Sequence, residues 1–374
     1  MKFKRKQRIE NELTPKRVLI IYGPRRVGKT TLLSEYIKTQ HAKVFSSTGD
    51  DIQLRNIFKS EEKNKILDFA RPYDLIAIDE AQFIPSIGLG AKMMIDAFPD
   101  KKIILTGSSS LDLSKQVGEP LTGRHFTMTL LPFSQGEMME SRFELENDLE
   151  NFLVYGSYPE ILNEPDVKMK RKILSELVSS YLFKDVLALE TIRSPDTLFR
   201  IAKCLAFQVG SEVSVNEIAR TVKTDVKTVG KYLDLLEKMF VIKKVSGFSR
   251  NLRNEISKKS KYYFLDNGIR NAIISQFNPL SLRNDIGALW ENFIFMELMK
   301  KSEIKDEPDN YYFWRTHTGQ EIDIIKESNG ILSAIECKWS KDKSTLPTLW
   351  RNTYQDSSFS IINRSNYLDI LLAD

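Results

Sequence analysis

Cysteine and histidine are nearly missing from this chain of 374 residues, with two of the first and three of the second. Cys204 and Cys337 make neither a disulfide framework nor a cysteine zinc site. So few histidines leave no histidine-rich metal centre. No uncharged apolar run reaches the roughly 18 residues that a membrane-spanning helix needs. The first ten residues, MKFKRKQRIE, are basic, but no apolar stretch follows, so they do not read as a secretion signal. Together these absences point to a cytoplasmic protein with no membrane partner. Hydrophobic content of 41% and charged content of 28% are those of a globular chain. The length implies two or three domains.

A net charge of +5 says little by itself. Its distribution says more. Residues 1–17 hold seven Lys/Arg against two acids, and residues 211–265 hold twelve against six. Local basic surplus is what phosphate contact requires, although a solvated basic face has the same composition.

The strongest motif is VLIIYGPRRVGKTTLL at 18–33, an apolar strand entering a helix through GxxxxGK[ST]. Backbone N–H groups of Gly23, Pro24-flanked Arg25, Arg26, Val27 and Gly28 line a phosphate cradle, closed by Lys29, Thr30 and Thr31. Lys29 reaches the β- and γ-phosphates of ATP, and the Thr30 hydroxyl ligates Mg²⁺. Arg25 and Arg26 take no separate role. A second strand, YDLIAIDEAQ at 73–82, ends in two acids: Asp79 to hold the magnesium and Glu80 to polarise the attacking water. A third, KKIILTGSSS at 101–110, ends in hydroxyls. Ser108 is placed to sense the γ-phosphate, with Thr106 as its rival. A helix follows at 111–120, and Arg124 directly precedes a fifth strand.

In that order these elements resemble the AAA+ ATPase module. The resemblance implies that Arg124 reaches a neighbouring subunit's nucleotide, and therefore a homo-oligomer. Residues 146–205 show apolar recurrence at three- and four-residue intervals (Ile173, Leu174, Leu177, Val178, Tyr181, Leu182), where a helical lid would fall. The turn GSYPE at 156–160 interrupts the helices.

Residues 206–265 read as a winged helix. VNEIARTV and KTVGKYLDLLEKMF form two helices about the turn KTDV, and two strands flanking a basic loop follow. Ile218, Val229, Leu233, Leu236 and Ile242 belong to the core, while Lys223, Lys227, Thr228 and Lys231 lie near the exposed start of the second helix and would contact DNA. A structural joint or protein-docking element is the alternative.

The C-terminal region, 266–374, carries EIDIIK and ILSAIECKW joined by the turn ESNG. Glu336 and Lys338 are two apart on a strand and so share a face. Ile322, Ile324 and Ile331 are expected to pack, so an acid such as Asp323 among them needs a cation. Asp323, Glu336 and Lys338, preceded by a helix acid, resemble the PD-(D/E)xK nuclease pattern, with Ile322 where that pattern has proline. The resemblance implies that Asp323 and Glu336 hold Mg²⁺ or Mn²⁺ and that Lys338 orients a water or steadies the phosphorane. Glu291 matches the helix acid better than Glu297. The bland reading is a cross-strand ion pair, worth about 0.2–1 kcal/mol.

The whole order, GPRRVGKTTLL, IDEAQ, GSYPE, a winged helix, KYYFLDNGIR and EID…IECKW, is similar to a family of prokaryotic AAA+ ATPases (AAA_14-like core) with a C-terminal domain of DUF4143 type. The expected fold is α/β: an ATPase core at 1–145, a helical lid at 146–205, a winged helix at 206–265, and a restriction-endonuclease-like domain at 266–374. The expected function is an ATP-hydrolysing, DNA-binding protein with a metal-dependent nuclease-like domain. Its rival is an ATP-switched DNA- or protein-binding regulator with an inactive C-terminal domain.

Overall fold

Apolar runs set the first sheet. The computed structural model describes residues 3–108, 121–179, 194–249, 259–307, 309–340 and 344–373. The expected helix at 111–120, residues 180–193 of the expected lid (with Tyr181 and Leu182), and the expected basic loop at 250–258 lie outside them. The chain divides into two compact units, one of Arg5–Leu131 with Lys238–Phe240, the other of Met1–Lys4, Pro132–Glu237 and Val241–Asp374.

In the first unit, β1 (Val18–Tyr22), β2 (Val44–Thr48), β3 (Leu75–Asp79), β4 (Lys102–Gly107) and β5 (His125–Thr129) form a parallel sheet in the order β2-β3-β4-β1-β5. All five residues of β1 are buried, as expected of a strand covered on both faces. The carboxyl ends of β1, β3 and β4 therefore lie side by side, where α/β sheets present ligands. Val18, Ile20, Ile76, Ile78, Ile103 and Leu105 anchor the core. Each such side chain contributes about 1.5–3 kcal/mol by leaving water.

The second unit has one seven-stranded sheet, made of β6 (Glu212–Val213), β7 (Ile242–Gly247), β8 (Ser260–Phe264), β9 (Asn310–Arg315), β10 (Glu321–Ser328), β11 (Ile331–Cys337) and β12 (Ser358–Ile362). Its order is β12-β11-β10-β9-β7-β8-β6. The strands expected in the winged helix and those expected in the nuclease-like domain are thus neighbours: β7 pairs with β9 in parallel. The sheet runs unbroken across the division expected at 265/266, and the unit boundary falls after Leu131.

The hairpin of β10 and β11 turns on Asn329 and Gly330, both at positive φ (50° and 81°), as a two-residue turn requires. Ile322 and Ile324 are fully buried, but Ile331 is 64% exposed, because the turn carries it beyond the core of Trp314, Ile325, Leu332 and Trp350. The helix Leu149–Tyr155 stops at Gly156, at φ 76°, and the next begins at Pro159. A Cβ on Gly156 would sit 2.0 Å from Asp266 Oδ1, so no side chain fits there. Asp266 also accepts the Ser157 N–H at 2.7 Å, and Asn271 donates to the carbonyls of Leu153 and Val154. The motifs GSYPE and KYYFLDNGIR therefore lock together as buried framework.

Candidate functional sites

The helix Lys29–Lys38 starts from Gly28, and the β1-to-helix turn curls over Lys29, whose Nζ donates to the carbonyls of Gly23 and Pro24 at 2.8 and 2.9 Å. Thr30 Oγ1 donates to Asp79 Oδ2 at 2.7 Å, which joins the phosphate loop to the acidic end of β3. A hydroxyl and a carboxylate in contact are the hard oxygen donors that Mg²⁺ takes, alongside phosphate and water. The donor set fits that ion.

Thr106 and Ser108, left as rivals for one role, hold different positions. The Thr106 hydroxyl donates to Asp79 and accepts the Glu80 N–H at 3.1 Å, so it sets both acids. Ser108 accepts from Gln82 Nε2 at 3.2 Å, and the same nitrogen donates to the Glu80 carboxylate. Gln82, buried, thus connects Ser108 to Glu80. It stands in the IDEAQ motif, yet spacing alone gave it no part. Glu80 itself is in the left-handed region, φ 49°. Arg124 pairs with Asp96 at 3.0 Å, and both side chains are about half exposed (42% and 47%).

In the second unit, a bulge in β10 between Ile322 and Ile325 breaks the register with β9 and re-aims Asp323. Asp323 Oδ2 accepts the Cys337 N–H at 2.8 Å and meets Lys338 Nζ at 3.4 Å. Lys338 Nζ lies 2.6 Å from Glu336 Oε2. Burial, with Asp323 nearby, pushes the Glu336 carboxyl up. Burial alone would lower Lys338, but Glu336 and Asp323 overcome it and hold the ammonium well above its usual range.

Glu291, on the helix Ile286–Lys305, is not bonded to this trio. Its Oε1 accepts from Lys261 at 3.2 Å and Tyr263 at 2.6 Å, both on β8. Lys261 is 1% exposed and also meets Glu321 at 2.9 Å. Burial pushes Glu291 up to about 7, with Lys261 pulling it down and Asp323 adding to the rise. Asp323 therefore links two half-clusters electrostatically, and carboxylates outnumber lysines two to one across them. Glu297, the other helix acid, pairs with Lys300 at 2.8 Å and accepts the Gln135 N–H, away from this place. Sequence spacing missed Lys261 and Glu321. For Lys261 the signal was a lysine inside a strand, β8, that buries every residue; Glu321, at the start of the half-buried β10, carried no such signal.

Among the described residues no group of three or more Asp, Glu, His or Cys is arranged to hold a metal ion. Asp323 and Glu336 nevertheless converge on one cation position, marked by the Lys338 ammonium. Two carboxylates completed by substrate phosphate is how Mg²⁺ is commonly held, so this pair fits the ion in donor chemistry.

The helices Val215–Val222 and Val226–Lys238 meet at Lys223, φ 58°, which ends the first. Ile218, Val229, Leu233, Leu236 and Ile242 are all buried, as expected. Lys223, Lys227 and Lys231 are exposed. Thr228 is half-buried, and its hydroxyl donates to Asp225 Oδ2 at 2.6 Å at the start of the second helix.

Residues 15–139 match the family model described as AAA domain. Residues 146–280 and 286–357 match two models described as domains of unknown function (DUF8612 and DUF4143). The N-terminal region is an AAA ATPase-like domain. An uncharacterized protein of Methanocaldococcus jannaschii is 26% identical over 339 residues, covering 85% of this chain and 74% of its own. One from Haemophilus influenzae is 27% identical over 311 residues, 76% of this chain and 74% of its own. Among solved structures, AMPPCP-bound DnaA from Aquifex aeolicus is 18% identical, with 59% of this chain and 82% of that chain covered at a TM-score of 0.27, a likeness too loose to carry an argument. No helix among the described residues is long and apolar enough to cross a membrane.

Proposed function

We propose that this chain is an ATP-hydrolysing AAA+ protein that engages DNA and carries a nuclease-like phosphodiester site. The reading of the nucleotide site is supported by the 2.7 Å bond from Thr30 to Asp79, which makes one site of two motifs 49 residues apart. Lys29 and the loop N–H groups bind the phosphates, and Thr30 and Asp79 hold Mg²⁺. Bound there, Mg²⁺ neutralises charge on the phosphates during transfer. Glu80 orients the attacking water, positioned by Thr106 and by Gln82, which also reaches Ser108. Arg124, half exposed, serves a neighbouring protomer's nucleotide, which makes the protein a homo-oligomer.

The observation that carries the nuclease-like reading is the convergence of Asp323 and Glu336 on Lys338 Nζ, at 3.4 and 2.6 Å. Asp323 and Glu336 would hold Mg²⁺ or Mn²⁺, which when bound polarises a phosphate and acidifies water. Lys338, released from the carboxylates, meets the phosphate charge. Glu291 and Lys261 stand behind Asp323. The helices around 215–238, with β7 and β8, act as a winged helix that presents Lys223, Lys227 and Lys231 to the DNA backbone.

The test is cleavage of supercoiled, linear, single-stranded and branched DNA in Mg²⁺ or Mn²⁺, with and without ATP. Wild type is expected to cut, Lys338→Ala to lose cutting while still hydrolysing ATP, and Lys29→Ala to show whether ATP gates it. Intact DNA in every lane, with salt-dependent binding retained, would sink the cleavage reading. The second reading, an ATP-switched regulator with an inactive C-terminal region, would then stand. It is favoured by one observation, that Lys338 already satisfies both carboxylates.

A further inference from the structure

The basic N-terminal stretch looks like a nucleic-acid arm in sequence, but part of it lies on the nucleotide loop. Through residues 5–9 the burial alternates: Arg5 and Gln7 are half-buried and Ile9 is buried, whereas Lys6 and Arg8 are exposed. Ile9, 1% exposed, anchors the segment and opens the short helix Ile9–Glu12. Gln7 Nε2 donates to the Thr129 carbonyl at 3.1 Å, at the end of β5. Arg5 then donates a guanidinium N–H to the Val27 carbonyl at 2.6 Å, inside the GPRRVGKT loop.

That contact has a geometric consequence. In a trans peptide the carbonyl and the next N–H lie in one plane and point in opposite directions. The chain has no cis bonds among the described residues. A cation gripping the Val27 carbonyl therefore directs the Gly28 N–H the other way. Gly28 sits at φ 97°, where a residue without Cβ lets the preceding peptide rotate at little cost. A charge-assisted bond removes that freedom, and by polarising the peptide it makes the Gly28 N–H a better donor.

We propose that Arg5 is a positioning residue of the nucleotide site, fixing the Val27–Gly28 peptide so that its N–H faces the phosphates of a nucleoside di- or triphosphate. This rests on the reading of the loop as the ATP site. The N-terminal segment then belongs to that site, and its inner face is withdrawn from DNA.

The test is displacement of a fluorescent ATP analogue by ATP and by ADP from the full-length protein. Arg5→Ala is expected to weaken both about tenfold, the usual worth of one hydrogen bond to a charged group. Arg5→Lys should recover most of that, because an ammonium can reach one carbonyl. Lys6→Ala, on the outer side, should stay within about twofold. In turnover, Arg5→Ala should raise KM and leave kcat nearly unchanged, the mark of uniform binding. Should Arg5→Ala fail to fold, Arg5→Gln against Arg5→Lys supplies the same comparison. Wild-type affinity in Arg5→Ala overturns the proposal alone, and so does an equal loss in Lys6→Ala, which would indicate a general basic field. If wild type binds no nucleotide, and so matches Lys29→Ala, both this proposal and the ATPase reading fall.

Discussion

The two candidate sites each bring a lysine close to carboxylates or their neighbours, but they hold them differently. Lys29 is gripped by the backbone carbonyls of Gly23 and Pro24, and Asp79 by the hydroxyls of Thr30 and Thr106. Hydroxyls set the Asp79 carboxylate without neutralising it, which suits a site awaiting a phosphate-bound cation. In the second unit Lys338 is gripped by Glu336 and Asp323 themselves, and Lys261 by Glu291 and Glu321. There the charges satisfy one another. A polar site closed by its own ion pairs must open before it works, and removing a shared lysine takes a partner from two carboxylates at once.

The sharpest way to break this comparison is at Glu80, where a carboxylate is expected to act and not merely to balance. Glu80→Gln keeps the hydrogen-bonding shape and removes the charge. ATP hydrolysis should fall at least about a hundredfold with ATP affinity retained. Hydrolysis at the wild-type rate would remove Glu80 from the chemistry. In the second unit the same logic predicts loss of stability. Lys261→Met strands the buried Glu291, while Glu321, partly exposed, keeps Arg315 at 3.9 Å, and unfolding free energy should drop by about 3–5 kcal/mol. Adding Glu291→Gln should return part of it in urea titrations. Simple additivity of the two changes would mean that the 3.2 Å pair contributes nothing.

The same contrast explains what the sequence disclosed. The nucleotide site is largely contiguous: Gly23 to Thr31 is one turn, and a strand ending in Asp79-Glu80 is readable by itself. The second site is assembled from β8, a helix, and β10 and β11, so only its hairpin part, Asp323 with Glu336 and Lys338, was legible. Lys261 was hidden among residues counted toward a basic DNA-binding surplus, because composition does not distinguish a buried lysine from an exposed one. Ile331 was misjudged since alternation gives the face of a residue but not its distance from the turn. The bond from Thr228 to Asp225, three residues earlier, was equally unread, because capping partners are settled by local backbone geometry. The continuity of the sheet from β6 to β12 was out of reach, as strand order depends on long-range pairing.

The smallest effect is the most specific. Burial holds the Glu291 carboxyl at about 7, against 4.5 for the group in water, with Lys261 and Tyr263 opposing the rise and Asp323 supporting it. Below about pH 4.5 folded and unfolded chains both carry the proton, and the group costs nothing. Between there and about 7 the unfolded chain loses the proton first, so this group's contribution makes the protein less stable as pH rises. Above 7 the full cost is felt. Asp285, lowered by Arg283 and Arg270 in spite of its burial, acts with the opposite sign and only at acid pH, below its ordinary value of 3.8. It is therefore silent in this window. Glu336, raised by burial, shares the sign of Glu291, but it is present in both proteins when wild type is compared with Glu291→Gln. Lys261 stays charged throughout and keeps Glu321, so its loss of one partner is a constant offset. The difference in unfolding free energy between Glu291→Gln and wild type should thus shift in favour of the variant from pH 5 to pH 7.5, by on the order of 2–3 kcal/mol. Parallel stability profiles over that range would mean that Glu291 ionises as it does in water. In that case Lys261 and Tyr263 fully offset the burial of Glu291, and the second site would hold its charges at no net cost.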